Sequence, residues 1–291
     1  MSEDSSTWSP RAHRTLPWAA LLQHRLALAG LVLLLVMVLL SIFGPSLGQD
    51  PNVADAVAIY QAPSGTHLFG TDHLGRDLFA RVLLGGRLSM QVGVFAILIA
   101  AVLGGLYGLV SGLGPRWLDH LMMQLLDTLL SIPVILFAVL IQATGEPGVL
   151  RLSIAIALVS WMGVARIVRT ECQQLMRTDF VLASIASGSG ALQLVARHLL
   201  PNIARPLLVV LTVSIGQALI LEATLSFLNL GVPANIPSWG NLLGSGMRAA
   251  LSGAWWAVLF PGLAIVLAVV AINFIGDGLR DAADPRRRLR L

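Results

Sequence analysis

The chain contains no lysine, and all 19 of its basic residues are arginine. A phosphate-binding loop of the GxxxxGK[ST] type needs a lysine that reaches the phosphates of the nucleotide, so the chain has no such loop. A Schiff-base lysine is excluded for the same reason. Any activity that uses ATP therefore depends on another polypeptide to bind and hydrolyse it.

Cysteine and charged residues are also scarce. Cys172 is the single cysteine, which excludes an intrachain disulfide and a cysteine-based metal cluster, and we interpret it as a small residue near a helix end. Charged residues make up 12% of the chain, about half the share in a typical soluble domain, whereas hydrophobic residues make up 56%. So little charge cannot cover a soluble globule of this length, and we expect a membrane protein.

Six long apolar segments dominate the sequence. A helix needs about 20 residues to cross a hydrocarbon core, and backbone groups in lipid must pair within their own segment. Continuous runs such as LAGLVLLLVMVLL do not alternate as barrel strands do. The first run lacks the A-x-A site of a cleaved signal, so we expect a retained span. We predict an all-α membrane protein with six transmembrane helices over Leu26–Phe43, Leu88–Leu113, Leu121–Thr144, Leu152–Ala165 with its neighbours, Pro206–Leu228 and Trp255–Ile275.

The arginines set the expected orientation. If the N-terminus is cytoplasmic, the outer side holds five arginines and the other 14 lie inside, as the positive-inside rule requires. Both termini are then cytoplasmic. We divide the chain into a cytoplasmic segment 1–25, a membrane domain 26–279 with an outer loop 44–87 and an inner loop 169–205, and a cytoplasmic arginine-rich tail 280–291.

The inner loop contains a polar, glycine-broken stretch, FVLASIASGSGALQLVARHLLPN, between two long apolar runs. Asp179 could cap a short helix at its start, and Gly188 permits the positive φ of a sharp reversal. A second short helix follows, and we expect Pro201 to end it because proline cannot continue the backbone ladder. The stretch is either a compact docking surface or an ordinary connecting loop. Its apolar face would consist of Leu182, Ile185, Leu192 and Val195.

Further motifs follow one another in order along most of the chain. They are GTDHLGRDLFARVLLGGRLS at 70–89, MMQLLDTLLSIP at 122–133, LEATLSFLNLGV at 221–232, PSWGNLL at 237–243 and FPGLAIVLAVVAINFIGDGLRDAADPR at 260–286. Together with the inner loop, they resemble the permeases of ATP-binding-cassette (ABC) importers of the dipeptide, oligopeptide and nickel class, in the second of their two subunit types. The resemblance covers roughly residues 26–286.

This resemblance implies a type I ABC importer permease fold of the MetI-like kind in a bacterial inner membrane. It implies that the chain is not an enzyme and binds no cofactor, because ATP and Mg belong to two partner ATP-binding subunits. A second, homologous permease would complete a heterodimer, and an extracytoplasmic binding protein would deliver the substrate. No nucleic acid is implied as a partner.

In that family the inner stretch corresponds to the EAA loop, which couples the permease to an ATPase subunit. The family's glutamate falls on Leu182 here and its second alanine on Ser184, so the charged contact of the glutamate is absent. Apolar packing, with help from Arg177, Arg197 or His198, would replace it. By matching position, the coupling residues are Phe180, Leu182, Ala183, Gly188, Arg197, His198, Pro201 and Asn202.

Two acidic residues lie inside predicted spans, Asp127 in the third and Glu222 near the outer end of the fifth. An intramembrane carboxylate is costly, by about 3 kcal/mol on insertion scales, so it marks either a translocation pathway or a buried pair. Both residues belong to motifs that the family shares across different substrates. Pairing with a neighbouring helix is therefore the interpretation we prefer.

Two clusters of charge flank the spans. Asp72, Arg76 and Asp77 in the outer loop form either a docking platform for the binding protein or a self-contained structural turn, which we prefer. The second cluster, at the inner end of the last helix, forms either a set of salt bridges or a contact with an ATPase subunit. It consists of Asp277, Arg280 and Asp281.

Other functions have weaker support. Nickel or a metal chelate is the alternative substrate, although the histidines show no HExxH pattern and we predict no metal site. An intramembrane hydrolase would use Ser189 and His198, which lack a GxSxG context. A secondary transporter would use Asp127 and Glu222 as ion sites but would leave the inner loop unexplained. The sequence therefore favours a subunit of a peptide importer that forms half of the translocation pathway.

Overall fold

The computed structural model describes residues 24–47, 50–146 and 148–283, and apart from loops and turns these residues are helical. The predicted N-terminal segment before residue 24 and the tail from residue 284 onward lie outside the described residues. The helices are α1 Arg25–Leu47, α2 Leu78–Leu113, α3 Arg116–Leu130, α4 Val134–Ala143, α5 Val149–Leu175, α6 Asp179–Ala186, α7 Ala191–Leu194, α8 Leu200–Phe227, α9 Trp239–Ala250 and α10 Trp256–Ala283.

Five stretches of the described chain are each long and apolar enough to cross a membrane: α1, α2, α5, α10, and α7 with α8 as one helix. The pair α3 and α4 qualifies as a sixth span, but its two halves meet at an angle of 84°. The expectation of one continuous helix over Leu121–Thr144 is therefore wrong. Pro133 explains the break, because it supplies no backbone N–H and disfavours the helical conformation at Ile132.

The pairing of α2 with α5 shows that the bent pair must cross the bundle. Gly104 on α2 faces the carbonyl of Trp161 on α5, and Gly112 faces Cys172, so contacts advance in the same direction along both helices. Two parallel helices place the end of α2 and the start of α5 at opposite ends of the bundle. The chain between them has to return across it, and α3 with α4 makes that crossing.

The bundle has two distinct ends. One end, which we call the loop end, contains residues 50–77, the start of α2 and α10, and helix α9. Trp256 Nε1 donates to the carbonyl of Thr71 at 3.2 Å, and Trp239 Nε1 donates to that of Val82 at 2.9 Å, which fixes the loop and α9 to the bundle. The opposite end, which we call the elbow end, contains α6 and α7.

Two element boundaries differ from the sequence expectation. The second span begins at Leu78 rather than Leu88, because the Asp77 carboxylate accepts the Ala80 N–H at 2.8 Å and so caps the helix there. Helix α9 lies between the last two predicted spans, in a region for which the sequence predicted no element. Ser238 caps α9 by accepting the Asn241 N–H at 3.2 Å.

Helix α5 lies at the centre of the bundle. In its most apolar window 56% of the residues are buried, against 17% for α1. Glycines on α2 permit this packing, since a Cβ added at Gly108 would lie 2.5 Å from the carbonyl oxygen of Ala165 on α5. Close approach of backbones at small residues is the usual way that helices associate where no hydrophobic drive acts between them.

Candidate functional site

The glycine-broken stretch forms a helical hairpin at the elbow end, residues 179–199, which we call the elbow. Helix α6 begins at Asp179 itself, with Thr178 as the residue before it and no side-chain cap, so the expected capping role of Asp179 is wrong. Gly188 has a φ of +83° and makes the reversal that the sequence predicts. The Ser184 hydroxyl donates to the Ser189 hydroxyl at 2.9 Å and closes the turn.

One side of the elbow is anchored in the bundle. Val181, Leu194 and Leu199 are buried and pack with Val168 and Cys172 near the end of α5. These contacts place the elbow directly beneath the central helix. The anchored side of the elbow and the end of α5 therefore share one buried cluster.

The other side of the elbow is apolar and exposed. Leu182 is 50% exposed, Ile185 is 42% exposed and Leu192 is 83% exposed. Three of the four side chains of the predicted apolar face thus point away from the protein, whereas Val195 is half-buried. A short helix that turns leucines outward beside a firmly packed base is suited to binding a groove on another protein.

Pro201 does not end the second helix, contrary to the sequence expectation. Helix α7, a π-helical turn over Val195–Leu199 and helix α8 follow one another without a break. The wider π turn lies directly before Pro201 and accommodates the proline, which cannot donate a backbone hydrogen bond. The second half of the elbow, from Ala191 onward, is consequently the first part of a membrane-spanning helix.

The remaining residues that the resemblance assigns to coupling lie around the elbow surface. The Phe180 and His198 rings are 6.1 Å apart between centroids, which links α6 to the π turn. The Asn202 side chain donates to the carbonyl of His198 at 2.6 Å. The others are exposed, and they are Ala183, Gly188, Arg197 and Pro201.

A polar network next to the elbow was not found from the sequence. Asp119 on α3 accepts two hydrogen bonds from Arg169 on α5, at 2.5 and 2.6 Å, and one from Gln173 at 3.1 Å. Ser111 on α2 donates to the same carboxylate at 2.5 Å. The network ties three helices together at the elbow end. An arginine late in an apolar helix was the available signal, because such a residue needs a partner.

The two carboxylates of the predicted spans have separate environments. Asp127 forms an ion pair with Arg166 on α5 at 2.5 Å, and both side chains are more than half exposed. Glu222 is fully buried and accepts a hydrogen bond from Ser226 at 2.8 Å, while its Oε2 has no hydrogen-bond partner among the described residues. The Asp127 contact joins α3 to α5, whereas the contact of Glu222 with Ser226 lies within helix α8.

A groove with a volume of about 550 Å³ runs along the face made by α4, α5 and α8. Neither Asp127 nor Glu222 lines it. Its walls are mostly apolar, with polar positions at Ser160, Ser214, Gln217, Thr224 and Arg280. A mostly apolar groove with a few polar groups can bind a small molecule without demanding one specific charge.

The sequence matches the family described as binding-protein-dependent transport system inner membrane component over residues 104–289. The chain belongs to this family. Residues 16–63 also match the N-terminal transmembrane domain of oligopeptide transport permease C. The protein is therefore a multi-pass inner membrane permease component of a transport system that works with a binding protein.

Curated relatives cover almost the whole permease. A putative peptide permease protein of Brucella suis is 43% identical over 270 residues, which span 92% of this chain and 89% of the relative. A putative peptide transport system permease protein of Brucella abortus is 41% identical over 92% of this chain and 90% of the relative. The dipeptide transport system permease protein of Bacillus subtilis is 38% identical over 93% of this chain and 85% of the relative.

At the loop end of the permease, the charged motif is folded in on itself. Asp72 Oδ1 accepts the backbone N–H groups of Leu74 and Arg76 at 2.8 and 3.0 Å, and Oδ2 accepts Arg76 Nε at 2.7 Å. Asp77 caps α2, and its other oxygen lies 3.0 Å from His67 Nδ1. Asp72 and Asp77 are both buried, so this geometry is that of a structural turn.

At the elbow end of the permease, α10 carries the second charged motif. Asp281 lies 3.3 Å from His24 Nε2 at the start of α1. Asp277 and Arg280 are exposed, and Arg280 also lines the groove.

Proposed function

We propose that this permease is the transmembrane subunit of an ATP-driven importer of peptides, and that the elbow couples it to a separate ATPase subunit. The observation that carries the proposal is that one side of the elbow is buried in the bundle while the other side is apolar and exposed. The elbow turns exposed Leu182 and Leu192 outward, while buried Val181 and Leu194 fix it to the bundle. Of these four residues, Leu182 is among those that the resemblance assigns to the contact with the ATPase.

The proposed coupling works through continuous helix. A force applied to the elbow reaches α8 directly, because α7, the π turn and α8 are one helix. It reaches α5 through the three-residue connection Met176–Thr178 and through the packing of Val181 and Leu199. Since α5 and α8 both line the groove, tilting them together would change its width as a rigid-body transition.

The proposal assigns the partners as follows. A second, homologous permease faces this one, and the groove on α4, α5 and α8 forms half of the pathway between them. Two ATP-binding subunits lie beneath the pair, and an extracytoplasmic binding protein delivers the substrate. Peptides are the proposed substrate because the Brucella and Bacillus relatives are named for peptides or dipeptides.

The proposal places the elbow end and both termini in the cytoplasm. Arginines support this orientation: the loop end of the described chain carries Arg76, Arg81, Arg87, Arg151 and Arg248, and more arginines lie at the elbow end. The ATPase subunits would then approach the elbow from the cytoplasm, and the binding protein would approach the loop end from outside.

Two exposed leucines at opposite ends of the bundle give the experiment. Leu192 on the elbow is 83% exposed, and Leu251 at the loop end is 89% exposed, so neither change disturbs the core. Leu192→Glu should remove most of the ATPase subunit that co-purifies with the tagged permease and reduce ATP-dependent peptide uptake in proteoliposomes at least about tenfold. Leu251→Glu should leave the co-purified ATPase unchanged. Full ATPase recovery with Leu192→Glu would contradict the assigned contact.

A further inference from the structure

A second concave site lies at the loop end, away from the groove. It is a pocket of about 360 Å³ between the 71–76 turn, the segment 229–235 and helix α9. This volume falls in the range of ligand sites. The pocket shares no lining residue with the groove. Its polar lining includes His73, Arg76, Arg81, Asn235, Asn241 and Arg248.

The pocket carries an excess of positive charge. Three guanidinium groups line it, and Asp72, the acidic residue beside them, already has both oxygens occupied by the turn. Arg248 is exposed and forms no ion pair with any described residue. The pocket therefore holds more cationic groups than the described chain neutralises.

Arg81 provides the second observation. This side chain is only 2% exposed, and its Nη1 donates to the carbonyl of Pro51 at 3.0 Å. Its Nε lies 3.4 Å from Asp72 Oδ2 and forms no hydrogen bond within the described residues. The guanidinium is thus held in the wall of the pocket by Pro51 and Asp72, and its positive charge adds to the attraction for an anion that enters.

The pKa of His73 reflects the same positive environment in the pocket. Burial lowers the pKa of His73 below its usual 6.5 and, although Asp72 acts in the opposite direction, the positive charges of Arg76, Arg81 and Arg248 lower it further. The imidazole is therefore neutral near pH 7, and the positive charge of the pocket comes from the arginines.

The opposite wall is fixed before any ligand arrives. The Asn241 side chain donates to the carbonyls of Val232, Pro233 and Ile236 at 3.3, 3.1 and 3.0 Å. These bonds hold the segment 229–236 against α9, so the wall needs no ordering when a ligand binds. A preorganised wall lowers the entropic cost of association.

We propose that this pocket binds an acidic side chain of the extracytoplasmic binding protein. The inference rests on the proposed function, which puts the loop end outside and supplies such a partner. Arginine forks match a carboxylate in geometry and charge. The separation of the pocket from the groove favours a carboxylate of the docking protein over one of the transported substrate.

The test measures the affinity of the purified binding protein for the assembled transporter in nanodiscs. Arg248→Glu is the informative variant, because Arg248 is exposed and takes no part in the turn. Arg87→Glu is the matched control, since Arg87 is an exposed arginine at the same end and does not line the pocket. We expect Arg248→Glu to raise the Kd at least about tenfold and to weaken its dependence on salt, and Arg87→Glu to change the Kd less than about twofold.

The outcomes separate this inference from the proposed function. If the wild-type transporter binds its binding protein and Arg248→Glu weakens binding no more than Arg87→Glu, the pocket has no role in docking. If Arg248→Glu reduces uptake at saturating binding protein while the Kd is unchanged, the carboxylate belongs to the substrate and the inference is overturned. A wild-type transporter that binds no such protein would instead contradict the proposed function. Restored affinity when one acidic residue of the binding protein is changed to lysine would support the pocket directly.

Discussion

At the scale of single residues, Gly188 and Gly190 allow the effect of backbone conformation to be separated from the effect of the room available for a side chain. A Cβ at either position would meet nothing within 4 Å, so neither site excludes a larger side chain by contact. They differ in backbone, because Gly188 has a φ of +83° and Gly190 a φ of −69°. The left-handed conformation at Gly188 is costly for a β-branched residue, by about 1–3 kcal/mol.

Gly188→Val should therefore distort the elbow, whereas Gly190→Val should be tolerated. We expect Gly188→Val to abolish assembly with the ATPase or to uncouple ATP hydrolysis from peptide uptake, measured side by side in proteoliposomes. Gly188→Asn should retain most uptake, because asparagine adopts positive φ more readily than other non-glycine residues. Unchanged uptake with Gly188→Val would count against the role of the elbow.

Residue-level contacts also show where sequence reasoning stops. The glycine turn at 188 and the outward leucines follow from residue type and spacing alone. The Asp119 and Arg169 pair could not be predicted, because the two residues come from different helices and meet only after α3 and α5 have packed. Sequence spacing carries no information about such a meeting when the helices are far apart in the chain.

At the scale of elements, the parallel packing of α2 on α5 is the contact that the rest of the bundle is built around. Gly104, Gly108 and Gly112 recur every fourth residue, so they form one stripe on α2 that faces α5. Gly105 lies beside the stripe, and a Cβ there would meet nothing within 4 Å. The two kinds of glycine give a direct comparison on one helix.

Gly108→Val should separate α2 from α5, whereas Gly105→Val should not. We expect Gly108→Val to destabilise the protein by about 1–3 kcal/mol, because the added carbons overlap the α5 backbone. Thermal unfolding in detergent would report a lower midpoint for Gly108→Val than for Gly105→Val. Equal midpoints would show that the close approach of the two helices is not needed for stability.

Elements also differ in how far the sequence predicts them. Long apolar runs place the spans, since lipid requires each span to satisfy its own backbone groups. The break at Pro133 follows from proline chemistry. The continuity of the helix through Pro201 does not follow from proline chemistry. It depends on the π turn and on the burial of Leu199 and Ile203 against α5. Helix α9 escaped prediction because its many glycines and its short length weaken its pattern.

At the scale of the whole molecule, the two ends of the bundle have different designs. The loop end is held by buried hydrogen bonds, such as those from Trp239 and Trp256, and carries the basic pocket. The elbow end exposes an apolar hairpin that is continuous with α8. In the proposed mechanism the loop end is a fixed platform and the elbow end acts as a lever, and the groove lies on helices that reach both ends.

The most direct test of this account is to measure on which side of the membrane the elbow lies, and which subunit it contacts, in the assembled transporter. Cys172 is buried and is the single cysteine, so a Cys172→Ala background permits unique labels at Leu192→Cys on the elbow and Val57→Cys, a position 88% exposed at the loop end. In intact cells, a membrane-impermeant thiol reagent should label Val57→Cys and spare Leu192→Cys. In isolated membranes, Leu192→Cys should crosslink to the ATPase subunit. Labelling of Leu192→Cys from outside, or no crosslink in an assembled and active complex, would contradict the account.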